Sequence, residues 1–179
     1  LADPATQAYA LVVAAASAGK VVVRQRTDFP YADTARLVIE GSGAFEVKIR
    51  VPRWATRGFF VSINRRDEAL KVQPGSYVTL RRTWRAGDTI DLRLPFTFSL
   101  APVMDQPNIA SIFYGPVILA VQEPKSLSAW RKVTLNADDL SKSITGNPET
   151  LQFSIQDANL RPFYETYGRH SVYVDVTLE

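Results

Sequence analysis

Tyr77–Phe96 reads YVTLRRTWRAGDTIDLRLPF, and the alternation within it decides the fold class. Val78 and Leu80 before the Gly87-Asp88 pair, and Ile90, Leu92 and Leu94 after it, recur at every second position. That is the period at which a β-strand returns a side chain to the same face. Arginines and Asp91 fill positions between them. Gly-Asp is turn chemistry, since glycine accepts backbone conformations that other residues avoid and an Asp carboxylate bonds nearby backbone N–H groups. The stretch is therefore expected to be two strands about a turn, apolar side inward and arginines outward. Trp84 is read as lying with Arg82, away from Val78 and Leu80, where it would cover a sheet edge.

The same period runs outward in both directions. Strands are predicted at Val21–Arg26, Ala35–Glu40, Phe45–Arg50, Phe59–Ile63, Thr89–Leu94, Ile109–Phe113, Val117–Val121, Leu151–Ile155 and Ser171–Leu178, besides Tyr77–Arg82. In Phe45–Arg50 the residues Phe45, Val47 and Ile49 should face a core and Glu46, Lys48 and Arg50 water. With short loops and no long amphipathic helical pattern, the expected class is all-β, as one or two antiparallel β-sandwich domains of jelly-roll or Ig-like type with little helix. Alternation breaks in the proline-rich LPFTFSLAPVMDQPN, Leu94–Asn108. The expected division is therefore a first sandwich at 1–100 and a second, smaller one at 101–179. Thr6–Ala18 is Ala-rich yet reads as a strand through Tyr9, Leu11 and Val13, whereas Lys125–Arg131 lacks alternation and reads as a helical turn.

Composition narrows the functions. The chain has 179 residues, 46% hydrophobic and 22% charged, with a formal net charge of +3. This is globular usage, and its 21 basic residues are spread among 18 carboxylates, which argues against a nucleic-acid or polybasic membrane binder. The most apolar stretch, Tyr9–Ala16, falls short of the roughly 20 residues of a membrane-spanning helix, so no membrane partner is expected. With no Cys, a disulfide, a thiolate–zinc site and a thiol nucleophile within this chain are excluded. The single histidine, His170, excludes a multi-histidine metal site, so no cofactor is expected in the chain. The opening Leu-Ala-Asp-Pro, without Met, reads as part of something longer.

Residues that could do chemistry have structural readings beside them. A glycosidase needs two carboxylates about 5–10 Å apart across a cleft. Asp88 and Asp91 are the local candidates, but Asp88 belongs to a turn and Asp91 to the polar side of a strand, while Asp138 and Asp139 read as a solvated loop. No phosphate loop, nucleophile elbow or paired-histidine motif is present. Trp54, Trp84 and Trp130 could stack on sugar rings, although Trp also packs in β cores with its N–H on a backbone carbonyl. Arg65, Arg66, Arg81, Arg82, Arg85 and Arg93 read as a solvated face paired with carboxylates such as Asp91.

Several strings together resemble one arrangement: TDFPYAD (27–33), IRVPRWA (49–55), VSIN (61–64), PGSYVTLRRTWRAGDTIDLRLPF (74–96), IFYGPVILA (112–120) and LRPFYE (160–165). Their order and spacing are similar to the C-terminal β-sandwich region of glycoside hydrolase family 127, the β-L-arabinofuranosidase-like proteins. The resemblance implies that catalysis sits in an N-terminal (α/α)6 barrel, where a zinc-bound Cys is held to act as nucleophile beside a Glu. This chain has neither barrel nor Cys, so no catalytic or metal residue carries over and any zinc would belong to the parent's catalytic domain.

What the resemblance implies is an accessory, non-catalytic region with that barrel as its partner, with a homodimer plausible because β domains take part in dimers of the family. The compartment is not fixed by the sequence, an extracytoplasmic (periplasmic or secreted) setting being favoured over a cytoplasmic one. The surface in question comprises Trp54, Trp84, Trp130, Arg82 and Arg93, facing either the barrel or a plant or bacterial glycan. The alternatives are a carbohydrate-binding module and a structural module of a surface protein. Two departures from the family pattern carry expectations. Arg65 stands where Gly is usual after VSIN, so the hairpin there is expected to lengthen. His170 stands where an aromatic is usual, which implies packing rather than titration. The second sandwich also looks short for the family.

Overall fold

The computed structural model describes residues 11–14, for their backbone, and 21–124 and 128–179. It divides into two compact units, Leu1–Pro95 and Phe96–Glu179. Strands fill both, in the all-β class that the alternation predicts.

In the first unit the strands are β1 (Leu11–Ala14), β2 (Val22–Thr27), β3 (Thr34–Glu40), β4 (Gly43–Arg50), β5 (Phe60–Ile63), β6 (Arg66–Asp67), β7 (Tyr77–Trp84) and β8 (Thr89–Arg93). They form a three-stranded sheet, β1-β4-β7, and a five-stranded sheet, β2-β3-β8-β5-β6, with every pairing antiparallel. The inward positions are those the period selects: Phe45, Val47 and Ile49 on β4, Val78 and Leu80 on β7, Leu37 and Ile39 on β3, Ile90 and Leu92 on β8, all buried. Each such aliphatic side chain contributes about 1.5–3 kcal/mol by leaving water.

β7 and β8 flank the Gly87-Asp88 turn but do not pair with each other. β7 pairs with β4 and β8 with β3 and β5, so the turn carries the chain from one sheet to the other. The quoted stretch is thus a bridge between sheets and not a hairpin. Trp84 also departs from its expected place. Positions 78, 80 and 84 share parity, and Trp84 is fully buried beside Val78 and Leu80 rather than on the opposite face.

The motif strings prove to be junctions. Val51 N donates to Ser76 O and Gly75 N to Val51 O, each at 2.9 Å, which ties IRVPRWA to the start of β7. Thr27 Oγ1 donates to Thr34 O at 2.8 Å and closes the TDFPYAD loop between β2 and β3. After VSIN, Ile63 pairs directly with Arg66, so the β5–β6 loop stays at two residues. The expected lengthening does not occur. Asn64 and Arg65 take φ of 51° and 65° instead, the left-handed pair that a tight hairpin of this kind requires.

In the second unit the strands are β9 (Phe98–Val103), β10 (Gln106–Tyr114), β11 (Val117–Gln122), β12 (Lys132–Leu135), β13 (Ile144–Asn147), β14 (Gln152–Ile155), β15 (Ala158–Pro162), β16 (His170–Ser171) and β17 (Val174–Leu178). They form one nine-stranded sheet, with β12-β17-β10-β11-β15-β14-β13 in line, β9 added on β10 and β16 on β11. The β12–β17 pair is parallel, an exception to the expected antiparallel plan. Ile112, Leu119, Val133, Leu135, Phe153, Ile155, Leu160 and Val174 meet in one core, so the sheet bends around its own apolar face. The IFYGPVILA string is the β10–β11 hairpin. Its two-residue loop has Gly115 at φ 54°, where an added Cβ would meet the Phe96 ring at 2.8 Å.

The strand favoured at Thr6–Ala18 appears in the described residues as β1, paired with β4, and its remainder lies outside them. Of the helical turn expected at Lys125–Arg131, residues 125–127 lie outside the described residues and 128–131 are bend and irregular chain. Helical structure among the described residues is limited to two 3-10 turns, Leu140–Lys142 and Phe163–Glu165. No described helix is long and apolar enough to cross a membrane.

Candidate functional site

Within the first unit, Arg82, Trp84 and Arg93 do not assemble into one face. Trp84 has no exposed surface; its Nε1 donates to Phe45 O at 3.1 Å, and its ring lies 5.9 Å from that of Phe45. It is a core residue of the first unit and offers nothing to a sugar. Arg82 covers it, with the guanidinium 5.2 Å from the Trp84 ring centroid and 3.9 Å from Glu68. Arg93 lies on the other sheet, on the outer side of β8, where its Nε reaches Asp33 Oδ2 at 3.4 Å. The face once assigned to Arg82, Trp84 and Arg93 is therefore split by the crossing at Gly87-Asp88. Trp54 is half-buried in the turn after β4, within the first unit. Trp130 is half-exposed in the second unit and meets Tyr173 edge to face at 5.7 Å.

Three of the candidate carboxylates are occupied. Asp88 accepts from Arg85 N at 2.8 Å and from Asn64 Nδ2 at 2.9 Å. The bond from the Arg85 backbone, then that from Asn64, holds its carboxyl below the usual Asp value. Asp91 is paired with Arg36 across β8 and β3, and Asp139 accepts from Ser141 N and Oγ at the start of a 3-10 turn. His170 Nδ1 lies 2.7 Å from Gly168 O, and its ring packs 5.5 Å from Phe163.

One buried charge escaped the sequence reading. Glu123 is among the buried residues and receives Arg131 through two bonds, Nε to Oε1 at 2.9 Å and Nη2 to Oε2 at 2.7 Å, while Arg131 Nη1 reaches Asp157 at 2.9 Å. The Glu123 bond, the largest influence, raises the Arg131 guanidinium above its ordinary value. The signal was present in the sequence, since Glu123 continues the phase of Val117, Leu119 and Val121. A carboxylate so placed must be paired, because a lone buried charge costs several kcal/mol.

The described residues hold no group of three or more His, Cys, Asp or Glu able to bind a metal, and the sequence has no Cys. They do not fit a thiolate–zinc centre. What the first unit does present is a cleft of about 1100 Å³ on the outer side of the five-stranded sheet, lined by residues of β2, β3, β5, β6 and β8 and, after β6, by Glu68, Ala69, Leu70 and Val72. A row runs across it in register, Arg26 opposite Arg36, Arg36 opposite Asp91, Asp91 opposite Ser62 and Ser62 opposite Asp67. Phe60, 56% exposed, stands beside that row next to Arg93. Sequence reading fixed on Trp and passed over this Phe, although its phase in β5 places it outward.

Residues 5–96 match the family model described as beta-L-arabinofuranosidase, GH127 middle domain. No curated protein matches the chain. Among solved structures, the chain is similar to a GH127 β-L-arabinofuranosidase from Geobacillus stearothermophilus T6, with a TM-score of 0.68 and 20% identity over 88% of this chain and 31% of that one. It is also similar to a structure titled glycoside hydrolase (TM-score 0.65, 15% identity, 89% and 33% covered) and to a GH127 β-arabinofuranosidase (0.61, 18%, 88% and 32%). The chain spans about a third of the length of these structures, 31–33%. At such identities the likeness shows the fold. The family model describes a middle domain, where the motif resemblance implied the C-terminal region.

Proposed function

The chain belongs to the GH127 β-L-arabinofuranosidase family through its middle domain at residues 5–96, and on that premise we propose that it is a non-catalytic accessory region of a glycoside hydrolase. In this reading residues 5–96 are the middle domain and the unit from Phe96 onward is a further β domain that follows it. Both support a catalytic (α/α)6 barrel contributed by another part of the parent protein, and they take part in its oligomer. The glycosidic chemistry and any zinc belong to that barrel.

The observation that carries the reading is the fate of four carboxylates. Asp88 and Asp139 are bound to backbone donors, and Asp91 and Glu123 are ion-paired. A general acid needs a carboxyl free to hand a proton to a leaving group, and a nucleophile needs one facing substrate. These four are spent on turns and clamps. The test compares the complete parent enzyme with a form that lacks these 179 residues. The expected result is a truncated enzyme with a lower unfolding temperature and shorter half-life, and an unchanged melting curve with full activity would overturn the supporting role.

A further inference from the structure

We propose that the cleft on the outer face of the five-stranded sheet binds a neutral oligosaccharide, with Phe60 as its apolar platform and Arg26 and Asp67 as polar ends. Sugars carry hydroxyls that both donate and accept hydrogen bonds, together with an apolar C–H face. A site for them needs guanidinium or amide donors, carboxylate acceptors and an exposed ring in one concave surface.

The cleft has all three. The Phe60 ring rests over Gly58, where an added Cβ would meet the ring at 2.7 Å, and yet the residue stays 56% exposed. The glycine thus lets the ring lie against the chain at position 58, which also lines the cleft, on the side of Phe60 away from Ser62. Across the row, the Arg36–Asp91 pair is internally satisfied, whereas among the described residues the side chains of Arg26 and Asp67 make no direct hydrogen bond or ion pair, Arg26 acting on the Glu40 carboxylate only at longer range. They sit on the outermost strands, four strand spacings apart, which is about 19 Å and suits a short chain of sugar units. Three arginines and four carboxylates line the cleft. That near balance gives an anionic polymer no net attraction, so the occupant is neutral.

This inference stands apart from the supporting role, and its test uses only the 179-residue chain. Arabinotriose and cellotriose are titrated into the ¹⁵N-labelled chain, with trigalacturonate as the charged comparison. Saturable shifts of the Gly58, Ser62, Arg36 and Asp91 amides with a neutral trisaccharide are expected. Phe60→Ala should weaken that binding by about tenfold, a change of about 1.4 kcal/mol, and Arg26→Ala should weaken it as a second variant with the fold intact. The proposal is overturned if neither neutral trisaccharide moves these amides, if both variants bind as the unaltered chain does, or if trigalacturonate binds more tightly. Failure here leaves the effect of truncation on the parent enzyme untouched, so the two readings fall separately.

Discussion

Asn64 clasps Asp88: its Nδ2 donates to Asp88 Oδ1 at 2.9 Å while its own Oδ1 accepts from Thr89 N, also at 2.9 Å. Asn64 belongs to the two-residue loop after β5, and Asp88 to the turn where the chain leaves one sheet for the other. The bond therefore fastens the crossing to the sheet that receives it.

Replacing Asp88 by Asn exchanges one acceptor oxygen for a donor that faces Asn64 Nδ2 or Arg85 N, so Asp88→Asn should lower stability by about 1 kcal/mol at pH 7. The Asp88 carboxyl is held below its usual value by Arg85 N and then by Asn64. A depressed carboxylate stabilises the fold above its unfolded value and loses that contribution as pH falls through the folded value. Denaturant titrations should show the gap between the two proteins closing below about pH 4, and a gap that persists there would remove the carboxylate from the account.

Arg65 sits at φ 65°, where a side chain is strained and glycine is not. Arg65→Gly should raise stability by about 0.5–1 kcal/mol, seen as a higher thermal midpoint. An unchanged or lower midpoint would mean that the loop bears no backbone strain.

Glu123 and Asp157 both bind Arg131, but their side chains are 5% and 81% exposed. Glu123→Gln should cost about 3 kcal/mol, because it leaves the Arg131 charge short of its enclosed partner. Asp157→Asn should cost at most about 0.5 kcal/mol. Equal losses in urea unfolding would show that burial does not set the ranking.

Trp84→Phe removes the donor to Phe45 O and leaves a void beside β4. The expected loss is about 2 kcal/mol. Arg82→Ala, which strips the cation from the outer surface of the same ring, should cost about 0.5–1 kcal/mol. A larger effect at Arg82 than at Trp84 would put the ring at a surface and not in the core.

The strands were legible because one period governs burial in each: Phe45, Val47 and Ile49, or Val78 and Leu80, announce their faces without any partner. Which strand pairs with which was not. The Gly87-Asp88 turn looks the same in sequence whether it closes a hairpin or bridges two sheets, since turn chemistry fixes a local reversal and not the neighbour. Trp84 misled because it reads as in phase with Arg82 and out of phase with Val78 and Leu80, whereas 78, 80, 82 and 84 share one parity, on which Trp84 is buried and Arg82 lies exposed over its ring. Short strands such as β6 and β13 carry too few apolar residues to show a period, and β9 lay hidden behind its proline. At the cleft, Arg93 and Asp91 were named from the sequence, but their neighbours Arg26, Phe60 and Asp67 come together only through cross-strand register, which spans distant parts of the chain.

The central claim is that these residues support catalysis done elsewhere. The most direct measurement is hydrolysis of an aryl β-L-arabinofuranoside by the isolated 179-residue chain, followed by release of the phenol. The account predicts release indistinguishable from buffer; saturable turnover at a rate ordinary for an enzyme, about 1 per second or faster, would contradict it.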